Sequence, residues 1–169
     1  MEILGKILGN NARVRLMRLF LLNKNKHFKT KDIVERIRMN SSLVSRELRL
    51  LASVNFIKKH IATADWSFNP SFKYAVEFED LLVRSNSLNR KTILKNFRKA
   101  GHVKLVVVSG VFIKNEDSRV DLLIVGDKIK KSKLEEGIRR LEAEIGTELV
   151  YAVFDTQDFV YRVKMYDKL

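Results

Sequence analysis

The chain has 169 residues, 46% of them apolar, and no cysteine. That is one ordinary domain or two small ones with packed cores, and it excludes disulfide scaffolds, thiolate zinc sites and cysteine nucleophiles. The net charge is +13 and is unevenly spread: residues 1–99 hold 21 Lys+Arg against 8 Asp+Glu, residues 1–64 alone 14 against 4, and residues 100–169 12 against 12.

Such asymmetry predicts two functional parts, one of them facing a polyanion. His27, His60 and His102 lie far apart along the chain, which argues against a histidine metal cluster. No apolar run approaches the ~20 residues of a membrane span, and Met1-Glu2 opens a mixed segment that is not a signal peptide, so a cytoplasmic protein is expected.

In chain order, Asn10 or Asn11 can cap a helix over 12–22, with Leu16, Leu19 and Phe20 at helical spacing. Residues 23–26 read as a loop. Thr30 is an N-cap candidate for a short helix over 31–38, with Ile33, Val34 and Ile37 inward. Met39-Asn40 makes a turn, and Ser41 or Ser42 can cap a third helix running to about Val54. Val44, Leu48 and Leu51 form its apolar stripe; Ser42, Ser45, Arg46 and Arg49 form a second stripe at i, i+3, i+4 and i+7. Hydroxyls and guanidinium groups on one exposed face can hydrogen-bond phosphates and base edges in a major groove, and a helix N-terminus favours a phosphate. A solvated helix face has the same pattern. Residues 56–61 and 66–68 read as two strands joined through 62–65, a β-hairpin.

Three helices and a hairpin are the winged helix–turn–helix layout, and residues 32–57 resemble the core of prokaryotic winged-helix repressors. The match rests on Val44-Ser45-Arg46, Leu50-Leu51 and Phe56-Ile57, without gaps. Asn55 stands at the family's usual glycine and tolerates the left-handed conformation. Arg38 stands at the turn glycine, so a slightly different turn is expected. The resemblance implies double-stranded DNA as partner, faced by Ser41, Ser42, Ser45, Arg46 and Arg49. Thr30 and the wing-base Lys58 and Lys59 complete the candidate set. The wing tip carries Asp65 and no Lys or Arg, which argues against a minor-groove contact. Winged-helix regulators commonly dimerise, which implies a homodimer on palindromic sites.

Asn69-Pro70-Ser71 marks a boundary. A helix is expected within 72–84, at least from Tyr74, then a polar break at Ser85-Asn86-Ser87 and another helix over 88–100 ending at Gly101. Residues 104–109, 120–125 and 149–154 are short apolar runs that suit central strands covered on both faces. Ser132-Lys133-Leu134-Glu135 reads as a capping box for a helix with Leu134, Ile138, Leu141 and Ile145 on one face, ended by Gly146.

Residues 101–169 resemble the minimal nucleotidyltransferase domain of the polymerase-beta type. That family opens with an apolar strand into a Gly-Ser turn, and a loop then leads to a strand bearing Asp-x-Asp. Here Ser109-Gly110 occupies the turn and residues 117–125 the strand; residues 158–168 resemble the family's C-termini. The active family holds Mg²⁺ on side-by-side carboxylates. The matching pair here is Arg119 and Asp121, and arginine cannot ligate a cation. The reversed Gly-Ser order and a shorter loop weaken a triphosphate cradle; Glu148 and Asp155 are candidates for a third carboxylate. The expected consequence is a retained fold without transfer chemistry, Arg119 and Asp121 forming an ion pair where the metals sit in the active family.

The expected fold is α+β in two domains: residues 1–70 a winged helix–turn–helix, 71–100 a helical connector, 101–169 a small α/β sheet domain. The expected function is a DNA-binding transcriptional regulator. Its second domain serves dimerisation, or a nucleotide (through Arg119 or Lys114) or protein partner. No cofactor and no metal are expected. The alternatives are an active nucleotidyltransferase targeted by the basic domain, or RNA binding, against which stands the exclusion of a helix from the A-form major groove.

Overall fold

A computed structural model describes residues 3–84, 90–113 and 117–166. The fold is α+β; among the described residues it has eight α-helices and two three-stranded sheets. The chain divides into two compact units, Met1–Asn86 with Glu142–Thr147, and Ser87–Leu141 with Glu148–Leu169. No described helix is long and apolar enough to cross a membrane.

The first unit opens with α1 (Ile3–Ile7) and α2 (Asn11–Leu22). Asn10 caps α2, its side chain accepting from the Arg13 N–H. A two-residue strand β1 (Phe28–Lys29) leads into α3 (Thr30–Ile37), and α4 (Ser41–Ser53) follows a short turn. The strands β2 (Ile57–His60) and β3 (Asp65–Phe68) form the hairpin, and β1 pairs antiparallel with β3, giving the order β1-β3-β2. The sequence does not predict β1, because two residues carry no periodicity.

Val44, Leu48 and Leu51 of α4 are buried against Leu16 and Phe20 of α2 and Ile33 and Ile37 of α3 in one core. Full burial of each such side chain is worth about 1.5–3 kcal/mol. Phe56 is the aromatic centre of this core, 5.5 Å from Phe68, 5.1 Å from Phe72 and 6.4 Å from Phe78, all edge-on. The expected connector therefore divides. Phe72, Phe78 and Leu82 belong to the first core, and the segment 75–84 is α5 (Ala75–Glu79) continued by a π-helical turn, Asp80–Arg84. The polar break at 85–87 lies outside the described residues.

Two left-handed residues sit where the sequence places glycine substitutes. Asn55 has φ 59°, as expected. Arg38 has φ 53° and ψ 51° at the end of α3, the left-handed conformation that a glycine adopts without strain.

The second unit begins with α6 (Arg90–Phe97); Ile93 and Phe97 are buried. Its sheet is β4 (His102–Val108), β5 (Leu122–Asp127) and β6 (Tyr151–Phe154), ordered β4-β5-β6. Strands β4 and β5 are antiparallel, and β5 and β6 are parallel. A parallel pair needs a crossover, supplied by α7 (Lys131–Ile145), with Leu134, Ile138, Leu141 and Ile145 buried. The chain closes with α8 (Thr156–Tyr166).

Three expectations change here. Only β5 is a buried central strand; β4 and β6 are the sheet's edges, and Leu105, Val107, Tyr151 and Val153 are exposed. A three-stranded sheet has one interior strand, whatever the apolarity of the other two. Residues 117–121 precede β5 instead of belonging to it. Ser132 lies inside α7, whose first residue is Lys131, so it does not serve as the cap.

Candidate nucleic-acid interface

Helix α4 is oriented from within. Its Glu47 is buried, 1% exposed, and accepts from Arg13 Nε at 2.8 Å and from Asn10 Nδ2 at 2.8 Å. Burial by itself raises the pKa of this carboxyl. The hydrogen bonds from Arg13 and Asn10 and the charges of Arg13 and Arg46 outweigh it and hold Glu47 below its ordinary value. The pair ties the middle of α4 to the start of α2. The sequence signal for Glu47 is that it is the one acid on α4, beside Leu48 of the apolar stripe.

With the apolar stripe and Glu47 turned inward, Ser41, Ser42, Arg46 and Arg49 are exposed and Ser45 is half-buried. Arg46 is 68% exposed, although its Nη2 reaches Glu47 Oε1 at 3.4 Å. Arg49 Nε donates to the Ser45 carbonyl at 3.2 Å, which lays the guanidinium along the helix. The cap is Asn40, not Ser41 or Ser42: its Oδ1 accepts from the Ser42 N–H at 2.9 Å and from Ser42 Oγ at 2.6 Å. With Asn40 at the cap, the two serines are the first residues of the helix.

Thr30 likewise begins α3 without capping it, the capping position being Lys29 with no side-chain bond. Its hydroxyl instead accepts from Trp66 Nε1 at 3.0 Å. Thr30, Ser45, Arg49, Lys59 and Trp66 line one cleft between α4 and the hairpin. The wing-base lysines separate. Lys59 pairs with Trp66 and its Nζ lies 5.5 Å from that ring's centroid, on the cleft side; Lys58 pairs with Ser67 on the opposite face of the sheet. Strand alternation forces this split.

On that opposite face the structure corrects the histidine reading. His27 and His60 stack with centroids 4.6 Å apart, and His27 Nδ1 lies 3.3 Å from Asp65 Oδ1. Antiparallel pairing brings together residues the sequence separates. Asp65 thus opens β3 rather than standing free at the wing tip.

The second unit's expected site has a different character. Ser109 Oγ is 2.8 Å from Ser118 Oγ. Gly110 has φ +51°, and a Cβ there would meet Asp121 Oδ1. Asp121 accepts from the Val111 N–H through Oδ1 and from the Val150 N–H through Oδ2, each at 2.9 Å, and its own N–H donates to the Val150 carbonyl at 2.7 Å. The expected Arg119–Asp121 ion pair does not form among the described residues: both carboxylate oxygens are taken by main-chain donors, and Arg119 is exposed. Asp155 Oδ1 accepts from the Asp158 N–H at 2.8 Å, which caps α8; Glu148 is exposed. Lys114 lies outside the described residues. The spacing of the sequence does not reveal the exposed pair Lys104 Nζ to Asp127 Oδ2 at 2.7 Å. Lys104, with the Thr156 N–H, lowers the Asp127 carboxyl to about 2.

No family, no curated protein and no solved structure matches the chain.

Proposed function

We propose that the chain is a DNA-binding transcriptional regulator whose first unit lays α4 in the major groove of double-stranded DNA. One observation carries the reading. The Ser/Arg face of α4 is turned outward by a buried Glu47 and an apolar stripe, and Lys59 and Thr30 border the same cleft. The arrangement lies where the sequence holds 14 Lys+Arg against 4 Asp+Glu. Ser42, Arg46 and Arg49 supply donors for phosphates and base edges, and Lys59 supplies a phosphate contact from the base of the wing. Palindromic sites and a homodimer accompany this reading.

The second unit is proposed as a degenerate nucleotidyltransferase-like domain that serves dimerisation or a nucleotide or protein partner. Its support is the order strand, Ser-Gly turn, loop, strand, helix, strand, with an arginine at the first carboxylate position and Asp121 committed to the main chain.

Anisotropy titrations of the full chain on duplex DNA and duplex RNA, over a range of salt, test the proposal. Expected are a preference for DNA, a steep loss of affinity with salt, and a fall of about tenfold or more for Arg46→Ala with Arg49→Ala. No binding at low salt, or an undiminished double variant, overturns it.

A further inference from the structure

The outer face of the first unit's sheet, away from the core, gathers His27, His60 and Asp65. One ligand atom of each lies within 4.8 Å of the other two. Two strands and the residue leading into a third set the group. His60 ends β2 and pairs directly with Asp65 at the start of β3, while His27 immediately precedes β1, which pairs with β3 on its other side. The register places His60 and Asp65 on one surface, and His27, the last residue of the loop before β1, reaches the same surface.

The polar surroundings orient them. His60 Nε2 is 2.8 Å from Ser67 Oγ, a buried side chain on the same face. This anchors the ring, as the outer hydrogen bonds of ligating imidazoles do, and engages Nε2, so that Nδ1 is the nitrogen available as a ligand. Asp65 is held by the Thr63 side chain as well as by His27. The cations sharing this face are Lys29, opposite Asp65, and Lys58, opposite Ser67; both are exposed and their long side chains reach into solvent.

We propose that His27, His60 and Asp65 form a binding site for a borderline divalent transition metal of the zinc class. Two imidazole nitrogens and one carboxylate oxygen are the donors such ions take, and three protein ligands leave a fourth position for water. Ligand atoms about 2.1 Å from one tetrahedral ion stand about 3.4 Å apart. The His27–Asp65 separation of 3.3 Å already meets this, and a side-chain rotation closes the rest. The bound ion ties the strand entering α3 to both strands of the wing.

The test uses the full chain, free of any histidine tag and stripped with chelator. Zn²⁺ is titrated at pH 7.5 against a chromophoric competitor, and Co²⁺ serves as a spectroscopic probe of coordination. Expected are one Zn²⁺ per chain, tetrahedral-type Co²⁺ absorption, and affinity at least tenfold weaker in His27→Gln and in Asp65→Asn, with His102→Gln as wild type. Because the His27 side chain is 52% exposed, the His27→Gln variant folds, and its circular dichroism checks this. Less than one equivalent bound, or His27→Gln and Asp65→Asn binding as tightly as wild type, overturns the site. None of these readouts depends on DNA.

Discussion

Arg13 Nε donates to Glu47 Oε2 at 2.8 Å, joining the first turn of α2 to the middle of α4. Breaking one partner of a buried pair leaves the other charge uncompensated. Glu47→Gln is therefore expected to destabilise the first unit by about 2 kcal/mol, read as a shift in the denaturant midpoint. The folded pKa of Glu47 lies below its ordinary 4.5. Its contribution is thus present above that value and is lost as pH falls through the folded pKa. The Glu47→Gln variant will show a flatter acid limb in a stability–pH profile.

Arg38 holds φ 53°, a conformation that costs an L-residue about 1 kcal/mol and a glycine almost nothing. Arg38→Gly will raise the denaturation midpoint by an amount of that order. A lower midpoint would mean that the arginine side chain stabilises the turn more than its backbone strains it.

The split of the wing-base lysines gives a graded expectation for DNA binding. Lys59→Gln will lower the slope of log affinity against log salt by about 1, the loss of one phosphate contact. Lys58→Gln, on the opposite face, will leave the slope nearly unchanged. Equal effects would remove the cleft from the binding surface.

Asp121 joins the turn after β4 to the segment before β6 through the Val111 and Val150 N–H groups. Asp121→Ala leaves both donors without their acceptor, at a cost of about 1–2 kcal/mol. The expected result is a less stable chain and, with labelled nucleotides and Mg²⁺ or Mn²⁺, no transfer by either protein. Transfer by wild type that the substitution abolishes would establish the enzyme reading instead.

Asp127 titrates at about 2, below the ordinary 3.8, chiefly because Lys104 donates to it. The stability this lends is present above about pH 4 and disappears as pH falls from 3.8 toward 2. In Lys104→Gln a carboxyl NMR titration will find the Asp127 midpoint raised toward 3.8.

The left-handed Asn55 was expected from the family resemblance; the hydrophobic stripe of α4, a cap at Asn10 or Asn11 and the apolar face of α7 were readable in the sequence, because each follows from spacing within one element or from one residue's own backbone preference. So was the outward Ser/Arg stripe, since the inward stripe on the same helix dictates the other side. The tertiary structure alone decided the rest. It made β4 and β6 edges, used Asp121 as a main-chain acceptor in place of a partner for Arg119, buried Glu47 between Arg13 and Asn10, and set Lys59 rather than Lys58 beside the cleft. It also joined His27 to His60 and Asp65. These depend on which strand lies beside which and in what register. Long-range pairing fixes that, and local periodicity carries no record of it.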